Sequence, residues 1–219
     1  MKKYLNKIIC GDSLQIMRDI PDKSIDLVLT DPPYGIEIIK KQNKASEQIK
    51  SMSKAGGYWK KYNTKEWDNK IPSKKYFDEI FRVSKNQIIW GGNYFVEYLN
   101  NSKCWLIWYK GKVLSLPDAE LAWTSFNKPI RLFYQSRTDA YINKIDEKEK
   151  LHPTQKPIDL IKWCVVNYSN EDDIILDPFL GSGTTVVACQ NLKRNFIGIE
   201  ISPEYCAIAR ERLRQKPLI

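Results

Sequence analysis

Residues 174–200 read IILDPFLGSGTTVVACQNLKRNFIGIE, and this stretch decides the fold. Ile174 to Asp177 is a short apolar run that stops at Pro178, which predicts a buried strand. The turn 178–183 carries Gly181 and Gly183, and a helix from about Thr184 to Leu192 follows. Glycines at such a turn let a ligand approach the backbone, and the following helix presents free N–H groups at its start. Phe196 to Glu200 is a second strand, ending in an acid 23 positions beyond Asp177. Strand, glycine turn, helix and strand form a unit of an open α/β sheet, in which ligands bind outside the carboxyl ends of the strands. A carboxylate such as Glu200 at that edge can hold ribose hydroxyls. The full GxGxxG pattern is missing, so the unit suits a nucleoside carrying an amino acid better than a dinucleotide. Asp177 would then take the ammonium group and the helix N-terminus the carboxylate.

A second strand end has the same character. Ile25 to Leu29 is apolar and runs into Thr30-Asp31-Pro32-Pro33-Tyr34-Gly35. Two prolines lack backbone N–H groups and hold φ near −65°, so neither helix nor ladder continues through them. What remains is a stiff turn of acceptors, the Asp31 carboxylate and the backbone carbonyls, with an aromatic ring at Tyr34. Such a turn suits a planar group bearing an amino function; taken alone, the same residues also read as a plain turn.

Around these two stretches the chain alternates strands and helices. Lys7 to Cys10 reads as a strand, with Ser13 as the cap of a helix through Ile20. Lys74 to Val83 reads as an amphipathic helix, Gln87 to Trp90 as a strand, and Tyr94 to Leu99 as a helix. Cys104 to Tyr109 is a strand. Leu121 to Phe126 and Ile130 to Tyr134, joined by 127–129, predict two strands at an antiparallel edge of the sheet. A helix from Ile158 to Tyr168 and a final helix from Pro203 to Arg214, capped by Ser202, complete the pattern.

Composition narrows the function. The 219 residues suit one domain with an insertion, and 42% hydrophobic residues suffice for a core. No apolar run is long enough to span a bilayer, and the N-terminus does not read as a signal peptide, which predicts a cytoplasmic chain without membrane contact. Five cysteines stand singly and there is one histidine, His152, so no metal-site pattern exists. The net charge is +9 and the pI about 9.2, which implies a polyanionic partner. Between Lys40 and Lys75 there are eleven lysines against three acidic residues. Residues 36–71 therefore predict a basic, mobile insertion with a short helix near Glu47 to Met52. It reads either as a solvated loop or as a nucleic-acid clamp, with Tyr58, Trp59 and Tyr62 among the lysines favouring the clamp.

Three motifs in this order, DPPY at 31–34, HPTQKP at 152–157 and DPFLGSGTT at 177–185, resemble those of the S-adenosylmethionine-dependent amino-DNA methyltransferases. With the acceptor motif ahead of the glycine motif, the chain looks like the β group of that family. The resemblance covers nearly the whole chain. It implies an α/β, circularly permuted Rossmann-like methyltransferase fold, a mostly parallel twisted sheet with helices on both faces, and S-adenosyl-L-methionine as cofactor. It implies that Asp177, Gly181, Ser182 and Gly183 line the methionine moiety, that Glu200 holds the ribose, that Asp12 contacts the adenine, and that Asp31, Phe179 and Thr184 also bind the cofactor. Thr154, Gln155 and Lys156 would close the pocket, while His152 is structural. Asp31, Pro32, Pro33 and Tyr34 would receive a base flipped from double-stranded DNA. An aspartate at the first motif position leans towards adenine N6 and away from cytosine N4. Methylation of RNA or of a protein amide, and a catalytically silent nucleic-acid-binding subunit, are the competing readings. Relatives usually carry a sizeable recognition domain after the last strands, but here the interval 135–151 is only 17 residues. The expectation is thus a single domain without a separate recognition domain, its target read by the basic insertion, by a second copy in a homodimer, or by a recognition subunit.

Overall fold

In the computed structural model, which describes residues 2–36, 71–112, 117–136, 139–140 and 155–215, the apolar runs become one eight-stranded sheet. The strands are β1 (Lys7–Cys10), β2 (Ile25–Thr30), β3 (Ser84–Trp90), β4 (Trp105–Tyr109), β5 (Ala119–Thr124), β6 (Arg131–Tyr134), β7 (Ile174–Asp177) and β8 (Asn195–Glu200). Their order is β1-β8-β7-β2-β3-β5-β4-β6. The chain divides into two units, Met1–Pro32 with Ser73–Ile219, and Pro33–Pro72. The sheet belongs to the first. The second is described at residues 33–36 and 71–72 only, so the helix expected near Glu47 to Met52 lies outside the described residues.

Among the described residues five α-helices flank the sheet: α1 (Ser13–Arg18), α2 (Lys74–Val83), α3 (Ile158–Tyr168), α4 (Thr184–Asn191) and α5 (Pro203–Arg214). Side chains alternate across a strand, and β2 shows the result. Leu27 and Leu29 join the core cluster beneath α3, α4 and α5, which includes Leu160, Cys164, Val186 and Cys206. Val28 between them is equally buried but faces away from that cluster. On the other side α1 packs on α2, burying Met17, Phe77, Ile80 and Val83. The Phe77 ring meets Phe95 at 5.1 Å and Tyr98 at 5.2 Å.

Several expectations are corrected. The antiparallel strand does not lie at the edge: β5 pairs antiparallel with both β3 and β4, while β6 pairs parallel with β4. With β4 on one side of β5 and β3 on the other, the open edge at this end of the sheet belongs to β4. The short link 125–130 must therefore carry the chain past β4, and β6 arrives parallel. β6 exposes Leu132 and Tyr134, as an outermost strand does. β3 starts at Ser84, three residues before the expected Gln87, because its polar start satisfies itself. The Ser84 hydroxyl donates to Ile80 O at 2.5 Å, and the Gln87 amide donates to Ser84 O and Oγ at 3.2 and 2.9 Å. The helix expected at 94–99 is instead a pair of 3-10 turns, Gly92–Tyr94 and Val96–Tyr98, separated at Phe95 with φ −123°. α1 ends at Arg18, short of Ile20, and Asp12 caps it, not Ser13.

Gly92 explains why the chain turns where it does. A Cβ there would lie 2.5 Å from Trp123 Cβ and 2.9 Å from the Trp123 backbone nitrogen, so β5 and the first 3-10 turn touch backbone to backbone. Gly92→Ala should lower stability by about 1–3 kcal/mol in urea denaturation. Gly11→Ala, whose Cβ would meet only the end of the Ile16 side chain at 3.2 Å, should cost less.

Candidate active site

Between β7 and β2 the direction of winding reverses. β7 leads through α4 to β8 on one side, whereas β2 leads on to β3 on the other. In a parallel sheet such a reversal opens a crevice at the carboxyl ends, and Asp177 and Asp31 stand there on neighbouring strands. The Asp177 carboxylate is buried and accepts three hydrogen bonds. Thr30 Oγ1 donates to Oδ1 at 2.7 Å, Thr185 Oγ1 to Oδ2 at 2.7 Å, and the Phe179 N–H to Oδ1 at 3.1 Å. Burial nevertheless pushes its pKa up to about 6; the three donors oppose the rise and the nearby charge of Asp31 adds to it.

The glycine turn rests on the last helix. Gly183, the residue before α4, has φ 91°, and a Cβ on it would come within 2.7 Å of Ala209 Cβ. It brings no side chain to cap the first amides of α4, which leaves the helix start suited to an anion. Below the turn, Glu200 accepts from the Gly181 N–H and the Ser202 N–H, both at 2.8 Å. Burial raises its pKa, against those backbone donors. Ser182 Oγ donates to Gln155 Oε1 at 3.2 Å. Arg212 on α5 donates to Ser182 O at 2.9 Å and to Thr184 Oγ1 at 3.2 Å, so the turn is held from both sides.

Asp12 forms another wall. One carboxylate oxygen caps α1 by accepting from the Gln15 N–H at 3.1 Å; the other accepts from the Tyr76 hydroxyl at 2.9 Å. The Tyr76 ring lies 5.7 Å from Phe179, tilted by 41°. Burial, then the hydrogen bond to Asp12, pushes the Tyr76 hydroxyl up to about 12, so it stays a donor.

Asp31 faces a row of alternating charges. Lys156 Nζ donates to Asp31 Oδ2 at 2.5 Å and stands 3.0 Å from Glu120 Oε2. Lys110 pairs with the other oxygen of Glu120. The two ammonium groups are buried, with side-chain exposures of 6% and 5%, whereas Asp31 keeps 22% and Glu120 27%. Burial alone would lower the Lys156 pKa, but the carboxylates of Asp31 and Glu120 hold it above the ordinary lysine value. Burial would likewise raise Glu120, yet Lys156 and Lys110 bring it down to about 2.

The structure therefore gathers Asp31, Gln155, Lys156, Asp177, Phe179, Gly181, Ser182, Gly183, Thr184 and Glu200 around one crevice, with Asp12 tied in through Tyr76. Thr154 and His152 lie outside the described residues, and Pro33 and Tyr34 open the second unit. Four residues escaped the sequence reading: Tyr76, Lys110, Glu120 and Arg212. For Lys110 and Glu120 a signal existed, since each is a charge abutting a strongly apolar run, WLIWY and LAW. Tyr76 and Arg212 sit among ordinary polar helix residues and give none.

Comparison with known proteins agrees with this fold. Residues 25–211 match the model of the N6/N4 DNA methylase family. The type II methyltransferase M.BglII of Bacillus subtilis is 28% identical over 99% of this chain and 71% of its own length. M.HinfI of Haemophilus influenzae is 28% identical over 97% of this chain and 69% of its own. Among solved structures, M1.HpyAVI in complex with SAM has a TM-score of 0.59 at 24% identity, covering 95% of this chain and 99% of the other. The cytosine-N4-specific PvuII DNA methyltransferase has a TM-score of 0.61 at 18% identity, over 97% and 87%. These likenesses show the same fold.

The raised pKa of Asp177 has a testable sign. The folded chain holds the Asp177 proton up to pH of about 6, the unfolded chain only to about 3.9. Stability therefore falls as pH climbs through that window and stays lowered above it. Asp177→Asn should stabilise the chain without ligand at pH 7.5, by roughly 3 kcal/mol at most, with the gain vanishing below pH of about 4. Urea denaturation across pH measures it.

Proposed function

This chain belongs to the N6/N4 DNA methylase family, and from that premise we propose that it transfers a methyl group from S-adenosyl-L-methionine to the N6 amino group of an adenine flipped out of double-stranded DNA. The observation that carries the reading is the pair of carboxylates on adjacent strand ends at the winding reversal. Asp177 is deeply buried beside the glycine turn, and Asp31 is partly open beside it.

The residues fit the cofactor. Asp177 pays a desolvation cost that a bound ammonium would offset. The amides at the start of α4, with Gly181, Ser182, Gly183 and Thr184 around them, would receive the carboxylate of the methionine moiety. Phe179 would lie along it. Glu200 would turn its remaining acceptor capacity to the ribose hydroxyls. Asp12 would meet the adenine, and Thr154, Gln155 and Lys156 would close the pocket. When bound, S-adenosylmethionine supplies an electrophilic methyl group on a sulfonium.

The chain's own task is to make a poor nucleophile adequate. An exocyclic amino nitrogen shares its lone pair with the ring. Asp31 and the Pro32 carbonyl would accept its two hydrogens and draw it towards a tetrahedral shape, which frees that lone pair for in-line attack. Asp31 would hold the amino hydrogen that the nitrogen sheds once methylated and pass it to solvent, while the electron pair of the broken C–S bond would stay on a neutral thioether. Pro33 keeps the turn stiff. Flipping the base costs a few kcal/mol, and stacking on the Tyr34 ring, worth about 1–3 kcal/mol, would offset much of it. The lysines between Lys40 and Lys75 would neutralise backbone phosphates. With only 17 residues at 135–151, target choice falls to that segment, to a second copy of the chain, or to a separate recognition subunit.

Adenine is preferred because the motif begins with Asp31. Cytosine N4 is the second reading, favoured by the fold shared with the PvuII enzyme. Incubation with tritiated S-adenosylmethionine and unmethylated genomic DNA, then nucleoside analysis, should place the label in N6-methyladenine. Label in N4-methylcytosine would keep the mechanism and change the base. Asp31→Ala should reduce transfer by at least about a hundredfold while cofactor affinity changes by less than about threefold; normal turnover in that variant would sink the assignment.

A further inference from the structure

We propose that Glu120 is a positioning residue for methyl transfer: backed by Lys110, it holds the Lys156 ammonium against Asp31 and so fixes the plane of the carboxylate that receives the target amino group. The inference rests on the reading of Asp31 as that acceptor and adds to it residues far away in sequence. The row Asp31, Lys156, Glu120, Lys110 draws one member each from the end of β2, the stretch before α3, the start of β5 and the end of β4.

A lysine tied to a single carboxylate keeps much of its rotamer freedom. Here a second anion stands 3.0 Å from Lys156 Nζ, opposite the 2.5 Å hydrogen bond to Asp31. Glu120 is itself held by Lys110, whose ammonium lies 4.4 Å from the centre of the Trp108 ring and whose backbone N–H donates to Asp118 O at 2.8 Å. Restraint thus passes from the β4–β5 ladder, through two buried ammonium groups, to Asp31. Sites built on strands and locked by a supporting layer keep their geometry better than loop residues alone, and Asp31 sits on a turn. The charges also balance. Among the described residues Asp177 on β7 also lies towards Asp31, and the Asp31 charge adds to the rise in the Asp177 pKa. Lys156 supplies the opposing positive charge, and Glu120 keeps Lys110 and Lys156 from repelling each other.

The test is the single-turnover methylation rate of the full chain across pH 5–9, with tritiated S-adenosylmethionine and DNA, alongside equilibrium binding of S-adenosylmethionine. Glu120→Gln should slow transfer by about tenfold to a hundredfold, with cofactor affinity within about twofold of wild type. Lys156→Met should in addition move the acid limb of the profile up by about one pH unit, since a carboxyl without its counter-ion protonates more readily; Lys156→Arg should restore the limb. The double variant Lys110→Gln/Glu120→Gln removes one charge of each sign, so the cluster stays neutral, and it serves where the single variant folds poorly; the same slowing is expected of it. If the rate and cofactor affinity fall together, with the acid limb unmoved in Lys156→Met, the row is only a structural strut and the inference is overturned. A wild-type chain that transfers no label to any DNA overturns the functional reading, and this inference with it.

Discussion

The hydrogen bond from the Thr30 hydroxyl to the Asp177 carboxylate, 2.7 Å long, crosses the seam between β2 and β7 where the winding reverses. The rest of the crevice depends on it. A carboxylate out of water must be given donors, and the donors chosen here are structural parts: one strand neighbour, one residue of the glycine turn and one residue of α4. Satisfying Asp177 therefore also sets the spacing of the two strand ends and the approach of the helix. The cost of burial is not fully recovered, as its raised pKa records. That residue of unfavourable energy is what a cationic ligand can draw upon.

Asp31 solves a similar problem differently. It keeps partial exposure, as a group that meets a substrate must, and is matched by the charge of Lys156. The matching charge is buried, so it too needs a partner, and the need is passed on to Glu120 and Lys110. Breaking a buried ion pair on one side costs far more than the pair contributes when whole. The row therefore behaves as a unit rather than as separate contacts.

Much of this could be read from local patterns. β2 and β7 are apolar runs stopped by proline, and α2 has the apolar spacing of a helix with one buried face; all three lie where the residues predicted them. Motif order carried the family. What local reading missed is long-range. Ser84 looks too polar to begin a buried strand because its satisfaction, by Ile80 and Gln87, is visible only in three dimensions. The place of β5 depends on which edge β4 and β3 leave open, which no short window contains. Glu120 was missed for a related reason. Six strands of the sheet run parallel to β2 and bring their last residues to the functional rim, so acids after apolar runs, such as Asp31 and Asp177, are easy to find. β5 runs the other way and brings its first residues there, so its acid precedes the apolar run.

The outer part of the crevice joins segments far apart in sequence. β1 pairs with β8, Lys7 opposite Ile197, Arg210 donates to Ile8 O at 2.9 Å, and Arg212 braces the glycine turn whose Gly183 leaves room for Ala209. Contacts so distant in sequence form slowly, since loop closure must precede them. During synthesis, β1 and α1 must wait for nearly all of the intervening chain before their edge of the sheet is covered. The glycine turn can thus gain its brace only once residue 212 has been synthesised, and a shorter nascent chain lacks that support.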